Sequence, residues 1–359
     1  MENRSAVGNG AAGVWRAVDA AANRAAEALR VVEDVARFVI DDARSTALAR
    51  DLRHELAAIL AGESLRLRVA LRDVAGDVGA GMRSEHALHR GSAADLVAAN
   101  AARAAQALRS LEECAAVVAP DAAPRFERLR YRVYELERGG LAVARARERL
   151  AGIDLCVLVD GRRDGADFTR LVGALVEAGV RILQIRATGL GVPALVDRVR
   201  RALEIVRSRD GEDRALVVVN DRADVAAALG ASGVHTGADD LATALVRRVV
   251  GPAALVGRTA HDVAEARAAV AEGADYLGVG PCFPSATKSF STHAPPEFLR
   301  TVAAEVALPV YAIGGVTLER LDALAALGIH RVAVASAVTA AADPAAAAAA
   351  LLARLGNLR

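Results

Sequence analysis

From about residue 152 onward, short β-rich runs alternate with helix-length amphipathic segments, and no other feature constrains the fold as much. The runs are DLCVLVD, RILQIRA, ALVVVND, GVHTG, ALVGRTA, YLGVGP, VYAIGG and RVAVAS. Each is short, bounded by turn residues and rich in Val, Ile and Leu, the signature of a fully buried strand. Strand–helix alternation makes successive strands parallel, and eight such units are the number that closes a (β/α)8 TIM barrel. An α/β barrel domain is therefore expected over 152–359. A doubly wound open sheet is the other topology with this grammar. The barrel is preferred because polar residues close nearly every run, and barrel sites are assembled from those ends.

Residues 14–145 obey different rules. WRAVDAAANRAAEALRVVEDVARFVI sets Val18, Ala22, Ala25, Leu29, Val32 and Ala36 on one stripe of a helix, with arginines and acids elsewhere. Glycine and proline gather only in RDVAGDVGAGM (72–82) and around Pro120 and Pro124, which read as loops. RAAEALRVVED (24–34) returns as RAAQALRSLEE (103–113), and HEL (54–56) returns as YEL (134–136). Two related helical units imply an all-α domain built by internal duplication, with a pseudo-twofold axis.

Composition removes several classes of function. The formal charge of +1 offers no field to recruit nucleic acid or an anionic membrane. Cys114, Cys156 and Cys282 are too few and too scattered for a disulfide framework or a zinc site, so three buried free thiols are expected. No basic start precedes an apolar core at the N-terminus, and no long apolar run lacks charge, so a cytoplasmic protein with no membrane partner is expected. Small molecules are the expected partners, and a homo-oligomer stays open.

The residues closing the runs form an anion-binding inventory. Gln184 and Arg186 end the second run two residues apart, hence on one side of the strand. Asn220 and Asp221 end the third, His235 leads through Thr236 and Gly237 to Ala238, Asp239 and Asp240, and Thr259 and His261 end the fifth. Gly314–Gly315 follow the seventh and Ala335–Ser336 the eighth, where backbone N–H groups and a helix start suit a phosphate. A tight turn would also explain the glycine pair. Asp221 and Asp240, on neighbouring strands, suit a hard cation such as Mg2+ completed by substrate phosphates. A helix N-cap would equally explain Asp240, or Asp239 beside it. His235 and His261 lack metal spacing and read as structural or substrate-packing residues.

Lys288, in PSATKSF, is the only lysine among 45 Lys and Arg residues. An ammonium is a compact charge with three rotatable donors, whereas a guanidinium is a broad fork. Retaining lysine beside Ser285 and Thr287 reads as a phosphate or pyrophosphate clamp.

With these motifs assembled, residues 152–359 resemble thiamine-phosphate synthase. LQIR, VNDR, GVHTGADD, VGRTAH, YLGVGPCFPSATK, IGG and VASAV carry the resemblance, GPCFPSATK most specifically. It implies a transferase that joins hydroxymethylpyrimidine pyrophosphate to a thiazole phosphate and releases pyrophosphate through a pyrimidine carbocation. It further implies Mg2+ on Asp221 and Asp240, and pyrophosphate contacts from Arg186, Asn220, Thr259 and Lys288. Lys288, Arg186 and Asn220 would be catalytic, and Gln184 would address the pyrimidine. Ser285, Thr287, Gly315, Ala335 and Ser336 would hold the thiazole phosphate. Three positions depart from the family pattern: Thr188 replaces a lysine of QxRxK, Ala238-Asp239-Asp240 replaces Gln-Glu-Asp, and Thr259 replaces a serine. Arg222 or Arg258 would have to compensate for the missing lysine. A thiazole tautomerase-like barrel with a non-enzymatic helical scaffold is the alternative.

The helical half resembles the domain often fused to these synthases, regarded as an alternative hydroxymethylpyrimidine-phosphate kinase. NRAAEALRVVEDVARF, LRDVAGDVG, RAAQALRSLEE and LRYRVYELE carry the match. ATP is the cosubstrate such a kinase would use, yet no GxxxxGK[ST] loop exists. Arg24, Glu27, Arg30 and Glu33, with Asp73 and Asp77, are its candidate residues. Ion pairs within a bundle, or a dimerisation module, would use the same face.

Overall fold

A computed structural model describes residues 3–65, 67–70, 90–208, 215–284 and 293–358. The chain divides into two compact units, residues 1–145 and 146–359.

The first unit is helical. Its elements are α1 (Asn3–Phe38), α2 (Ala43–Leu60), the single turn α3 (Leu67–Ala70), α4 (Ala93–Val118) and the part of α5 (Ala123–Arg149) that precedes Ala146. Helix starts follow the capping chemistry: Asp42 accepts from Arg44 N–H, and Ser92 accepts from Asp95 N–H. Pro120 opens a 3-10 turn, whereas Pro124 lies in the first turn of α5, where its missing N–H costs nothing. The loop expected at Pro124 is therefore helix.

The duplication expected from sequence is visible in the core. Val18, Ala22, Ala25, Ala28, Leu29 and Val32 of α1 are buried, and so are Val97, Ala101, Ala104, Ala107, Leu108 and Leu111 of α4. Small side chains on both helices allow close packing, while Leu52, Leu56, Phe126, Leu129 and Leu136 of α2 and α5 close the core. Glu33 of α1 pairs with Arg50 of α2 at 3.2 Å, and Glu112 of α4 pairs with Arg130 of α5 at 3.1 Å. The two pairs occupy matching places in the repeat, 17 and 18 residues apart in sequence.

The second unit is a closed barrel of eight parallel strands in chain order, as expected. They are β1 (Leu155–Val159), β2 (Ile182–Ile185), β3 (Leu216–Asn220), β4 (Gly233–Thr236), β5 (Leu255–Ala260), β6 (Tyr276–Val279), β7 (Val310–Ile313) and β8 (Val332–Val334). The intervening helices are α6 (Gly165–Glu177), α7 (Val192–Arg207), α8 (Ala223–Leu229), α9 (Thr243–Val250), α10 (Val263–Glu272), α11 (Pro296–Glu305) and α12 (Leu321–Ala325); α13 (Ser336–Thr339) and α14 (Pro344–Gly356) follow β8.

Both faces of each strand are covered, which explains the unbroken apolar runs. Cys156, Leu158, Ile182, Val218, Leu255, Tyr276, Tyr311 and Ala333 fill the interior. Tyr276 and Tyr311 meet edge to face at 5.7 Å, and the Tyr311 hydroxyl donates to Ile153 O at 2.7 Å. Of the thiols, Cys156 and Cys282 are buried, and burial pushes both up to about 12. Cys114 is only partly buried, against expectation, because it lies at the edge of the helical core rather than within it.

Candidate active site

Strand parity aims one group of polar side chains into the barrel. Gln184 lies two residues beyond the interior Ile182, Asn220 two beyond Val218, and Thr259 four beyond Leu255. Arg186 follows β2 on the same parity, its N–H donating to Val159 O at 2.8 Å and so extending the ladder. All four stand at the carboxyl ends of their strands. The side chains of Gln184, Arg186 and Asn220 have no hydrogen-bond or ion-pair partner among the described residues. Gln184 is nonetheless only 3% exposed.

His235 sits below this group. Its Nδ1 is 3.2 Å from the Tyr276 hydroxyl and its Nε2 3.0 Å from Thr259 Oγ1. Gly257 and Gly278 make room for the ring: a Cβ at Gly257 would strike both His235 Nδ1 and Tyr276, and one at Gly278 would lie 3.3 Å from His235 Cε1. Burial, with Arg258 and Arg186 nearby, pulls the imidazole down to about 4, although the Asp240 carboxylate opposes the shift. The ring is therefore neutral at physiological pH. Arg186, Arg258 and Asp240 all lie within electrostatic reach of it.

Asp221 follows β3 with φ 62°, a left-handed conformation rare for a non-glycine residue but tolerated by Asp. Its N–H donates to His235 O at 2.8 Å, binding the ends of β3 and β4 together. Asp240 is exposed, and its Oδ2 accepts from Gly237 N–H at 2.7 Å, closing the turn after β4. The helix-cap explanation for Asp239 and Asp240 fails, because α9 starts at Thr243 with Ala242 as its cap residue and no side-chain cap. Arg258 braces this turn, donating to Thr236 Oγ1 at 3.2 Å, Leu241 O at 3.1 Å and Ala238 O at 3.1 Å. Arg222 is a bidentate partner of Asp224. Both arginines proposed to replace the missing lysine are thus already engaged. Thr188 itself is exposed.

The glycine pair after β7 has a backbone cause. Gly314 (φ 91°) and Gly315 (φ 64°) adopt the left-handed region. The chain after β6 lies against them, with Cys282 N–H donating to Ile313 O at 2.9 Å and Phe283 N–H to Gly314 O at 3.0 Å. A Cβ at Gly314 would fall 2.7 Å from Pro281 Cα. Arg320 adds a donor to Pro284 O at 3.1 Å. Ala335 precedes α13 and Ser336 opens it. Ser285, Thr287 and Lys288 lie outside the described residues, as do Asp73 and Asp77 of the helical half. His261 is exposed and paired with Glu265 at 2.9 Å, at the start of α10.

In the helical unit, Arg24, Glu27 and Arg30 are exposed on α1. Arg30 pairs with Asp34 at 3.2 Å. Glu33 is buried between Arg50 and Arg53 of α2 rather than paired along its own helix. Burial alone would raise its pKa, but the two guanidiniums outweigh that and hold the carboxyl below the usual range. Sequence reasoning missed Tyr276 and the cross-helix partners Arg50 and Arg53. Only the barrel register, which aligns His235 with Gly257 and Gly257 with Tyr276, discloses the first.

An eight-stranded parallel barrel with unsatisfied polar groups at its C-terminal mouth is the architecture of a barrel enzyme. A family model described as Thiamine monophosphate synthase matches residues 155–338, and one described as the ThiD2 family matches residues 16–139. A thiamine-phosphate synthase of Rhodopirellula baltica is 36% identical over 341 residues, covering 90% of this chain and 88% of that protein. One of Gloeobacter violaceus is 39% identical over 331 residues, covering 92% and 94%. The solved thiamine phosphate pyrophosphorylase of Pyrococcus furiosus superposes with a TM-score of 0.49 and 26% identity, over 58% of this chain and 97% of that one. The chain belongs to the thiamine-phosphate synthase family. Among the described residues, no helix is long and apolar enough to cross a membrane.

Proposed function

We propose that the barrel joins hydroxymethylpyrimidine pyrophosphate to a thiazole phosphate, forming thiamine phosphate and releasing pyrophosphate. The observation that carries this reading is the inward-facing group Gln184, Arg186, Asn220 and Thr259, polar side chains whose hydrogen-bonding capacity the protein leaves largely unused. In this reading Gln184 orients the pyrimidine, while Arg186, Asn220, Thr259 and Lys288 take the departing pyrophosphate. Ser285, Thr287 and the backbone at Gly315, Ala335 and Ser336 hold the thiazole phosphate. Negative charge builds on the leaving group as its bond to carbon breaks. Preformed donors at that position lower the barrier without reorganising. Holding both substrates in line supplies the rest.

Asp221 and Asp240 are the candidate Mg2+ ligands. Among the described residues no cluster of three or more His, Cys, Asp or Glu could hold a metal alone. Two carboxylates from adjacent strand ends, with no thiolate, nonetheless fit a hard cation that takes its remaining ligands from substrate phosphates and water. Asp240 keeps one oxygen free of the turn it closes. When bound, Mg2+ would neutralise pyrophosphate charge.

The tautomerase alternative is not favoured, since relatives matching about nine-tenths of the chain are named thiamine-phosphate synthases. For the helical unit we propose phosphorylation of hydroxymethylpyrimidine phosphate with ATP, which would supply the barrel's substrate. The match to the ThiD2 family supports it. Arg24 and Glu27 are the candidates there, because Arg30 and Glu33 are occupied by ion pairs.

One assay separates the two activities. Full-length protein with Mg2+ and thiazole phosphate receives either pyrimidine pyrophosphate, or pyrimidine monophosphate with ATP, and thiamine phosphate is measured by mass spectrometry. Product in both tubes is expected. Product from the pyrophosphate alone removes the kinase, and product in neither removes the synthase reading.

A further inference from the structure

We propose that Tyr276 and His235 form a buried relay that commits the Thr259 hydroxyl to donating its hydrogen into the barrel mouth, which makes both of them positioning residues. This deepens the reading that Thr259 meets a phosphate oxygen, and rests on it.

The donors and acceptors along this chain fix where each hydrogen lies. Tyr276 is 2% exposed, and among the described residues its hydroxyl has one hydrogen-bond partner, His235 Nδ1 at 3.2 Å. A phenol O–H left unmade in a packed interior loses its solvation with no return, so it must donate to that nitrogen. A neutral imidazole has one donor and one acceptor. With Nδ1 accepting, the ring hydrogen resides on Nε2, 3.0 Å from Thr259 Oγ1. Nε2–H therefore donates to Thr259. That hydroxyl now accepts from below, and its own hydrogen has no acceptor among the described residues. Thr259 is only half-buried, so this hydrogen can turn toward the mouth, where an anionic oxygen is an acceptor.

The reverse polarity carries two penalties. Nδ1–H donating to Tyr276 would strand the phenol hydrogen against an interior of Cys156 and Tyr311. Nε2 would then take the Thr259 hydrogen, leaving only lone pairs to face an anion. The space for the relay is built into the chain, since side chains at Gly257 or Gly278 would press on the ring or on the Tyr276 hydroxyl.

The test has a spectroscopic arm and a binding arm, both on the full-length protein. Histidine is labelled with 15N, and the His235 resonances are assigned by their loss in His235→Gln. At neutral pH, a proton on Nε2 and an unprotonated, hydrogen-bonded Nδ1 are expected, with the Nδ1 signal moving in Tyr276→Phe. A proton on Nδ1, or on both nitrogens, overturns the relay. In the second arm, inorganic pyrophosphate with Mg2+ is titrated calorimetrically. Thr259→Val should weaken it about 10- to 100-fold, Tyr276→Phe about 3- to 10-fold, and Thr259→Ser less than about threefold. An Nε2 proton together with unchanged pyrophosphate binding in Thr259→Val overturns Thr259 as a ligand, and the relay's purpose with it. Wild-type protein that binds no pyrophosphate overturns the pyrophosphate reading of the mouth, whatever the tautomer.

Discussion

The two units treat their polar side chains in opposite ways. In the helical unit, charge is matched to charge: buried Glu33 with the more open Arg50 and Arg53, and half-buried Glu112 with Arg130. At the barrel mouth, Gln184 and Arg186 point inward with no protein partner among the described residues, and Gln184 is nearly inaccessible. The first arrangement spends interactions on the fold. The second withholds them, which is reasonable only where a ligand completes the set. Removing a helical-unit charge should therefore cost stability, and removing a mouth residue should cost turnover.

The sharpest test is Arg186→Ala. It should lower kcat/KM for coupling from pyrimidine pyrophosphate about 10²- to 10³-fold, the usual cost of losing one preorganised donor to a developing anion. The melting temperature should stay at the wild-type value. A comparable fall in melting temperature would mean that Arg186 is a structural residue.

Glu33→Gln should do the reverse, destabilising the helical unit by about 1–2 kcal/mol, a value discounted because Arg50 and Arg53 remain half-open to water. Urea unfolding followed by circular dichroism would measure it, with coupling from the pyrophosphate unchanged. The pH dependence has a fixed sign. The Glu33 carboxyl is held below its ordinary value of 4.5, so its contribution is present above that pH and lost as the pH falls through the lower folded value. The gap between wild type and variant should close in acid. At neutral pH Glu112→Gln should lower stability by a similar amount, and a clear inequality there would break the equivalence of the two repeats.

Arg258→Ala should have a smaller effect, raising the Mg2+ concentration for half-maximal activity about three- to tenfold. It would free Ala238 O, Leu241 O and Thr236 from a shared donor and loosen the turn that carries Asp240. An unchanged Mg2+ titration would separate Arg258 from the proposed metal site.

The barrel was legible because its strands are buried on both faces and read as short apolar runs, one for each of β1–β8. Gln184 and Arg186 were legible together because a strand alternates its sides every residue. The helical duplication showed in RAAEALR and RAAQALR, since the same stripe packs in both copies. What escaped was chemistry between elements distant in sequence. His235 reaches Tyr276 across 41 residues and Thr259 across 24. Glycine at 257 and 278 looks like a turn or a gap until the register sets it beside the imidazole. Asp240 looked like a helix cap because α9 was expected to begin at once, whereas the turn closed on Gly237 delays it to Thr243. Arg222 looked available because sequence cannot reveal that Asp224 folds back on it.

Arg222 supplies the smallest effect and the cleanest control. It neighbours Asp221 at the mouth and carries the same charge as Arg186, so a reading based on charge alone would rank the two equally. Its guanidinium is instead held in plane by both oxygens of Asp224, at 2.8 and 2.5 Å. The pair is exposed enough that its loss should cost less than about 0.5 kcal/mol. Arg222→Ala should leave kcat/KM within about twofold of wild type, the change expected of a charge that touches no ligand and is screened by water. A loss approaching that of Arg186→Ala would mean that Asp224 releases the guanidinium when substrate binds. The missing lysine at Thr188 would then have its replacement, and the division between satisfied and unsatisfied charge would have to be redrawn for the bound state.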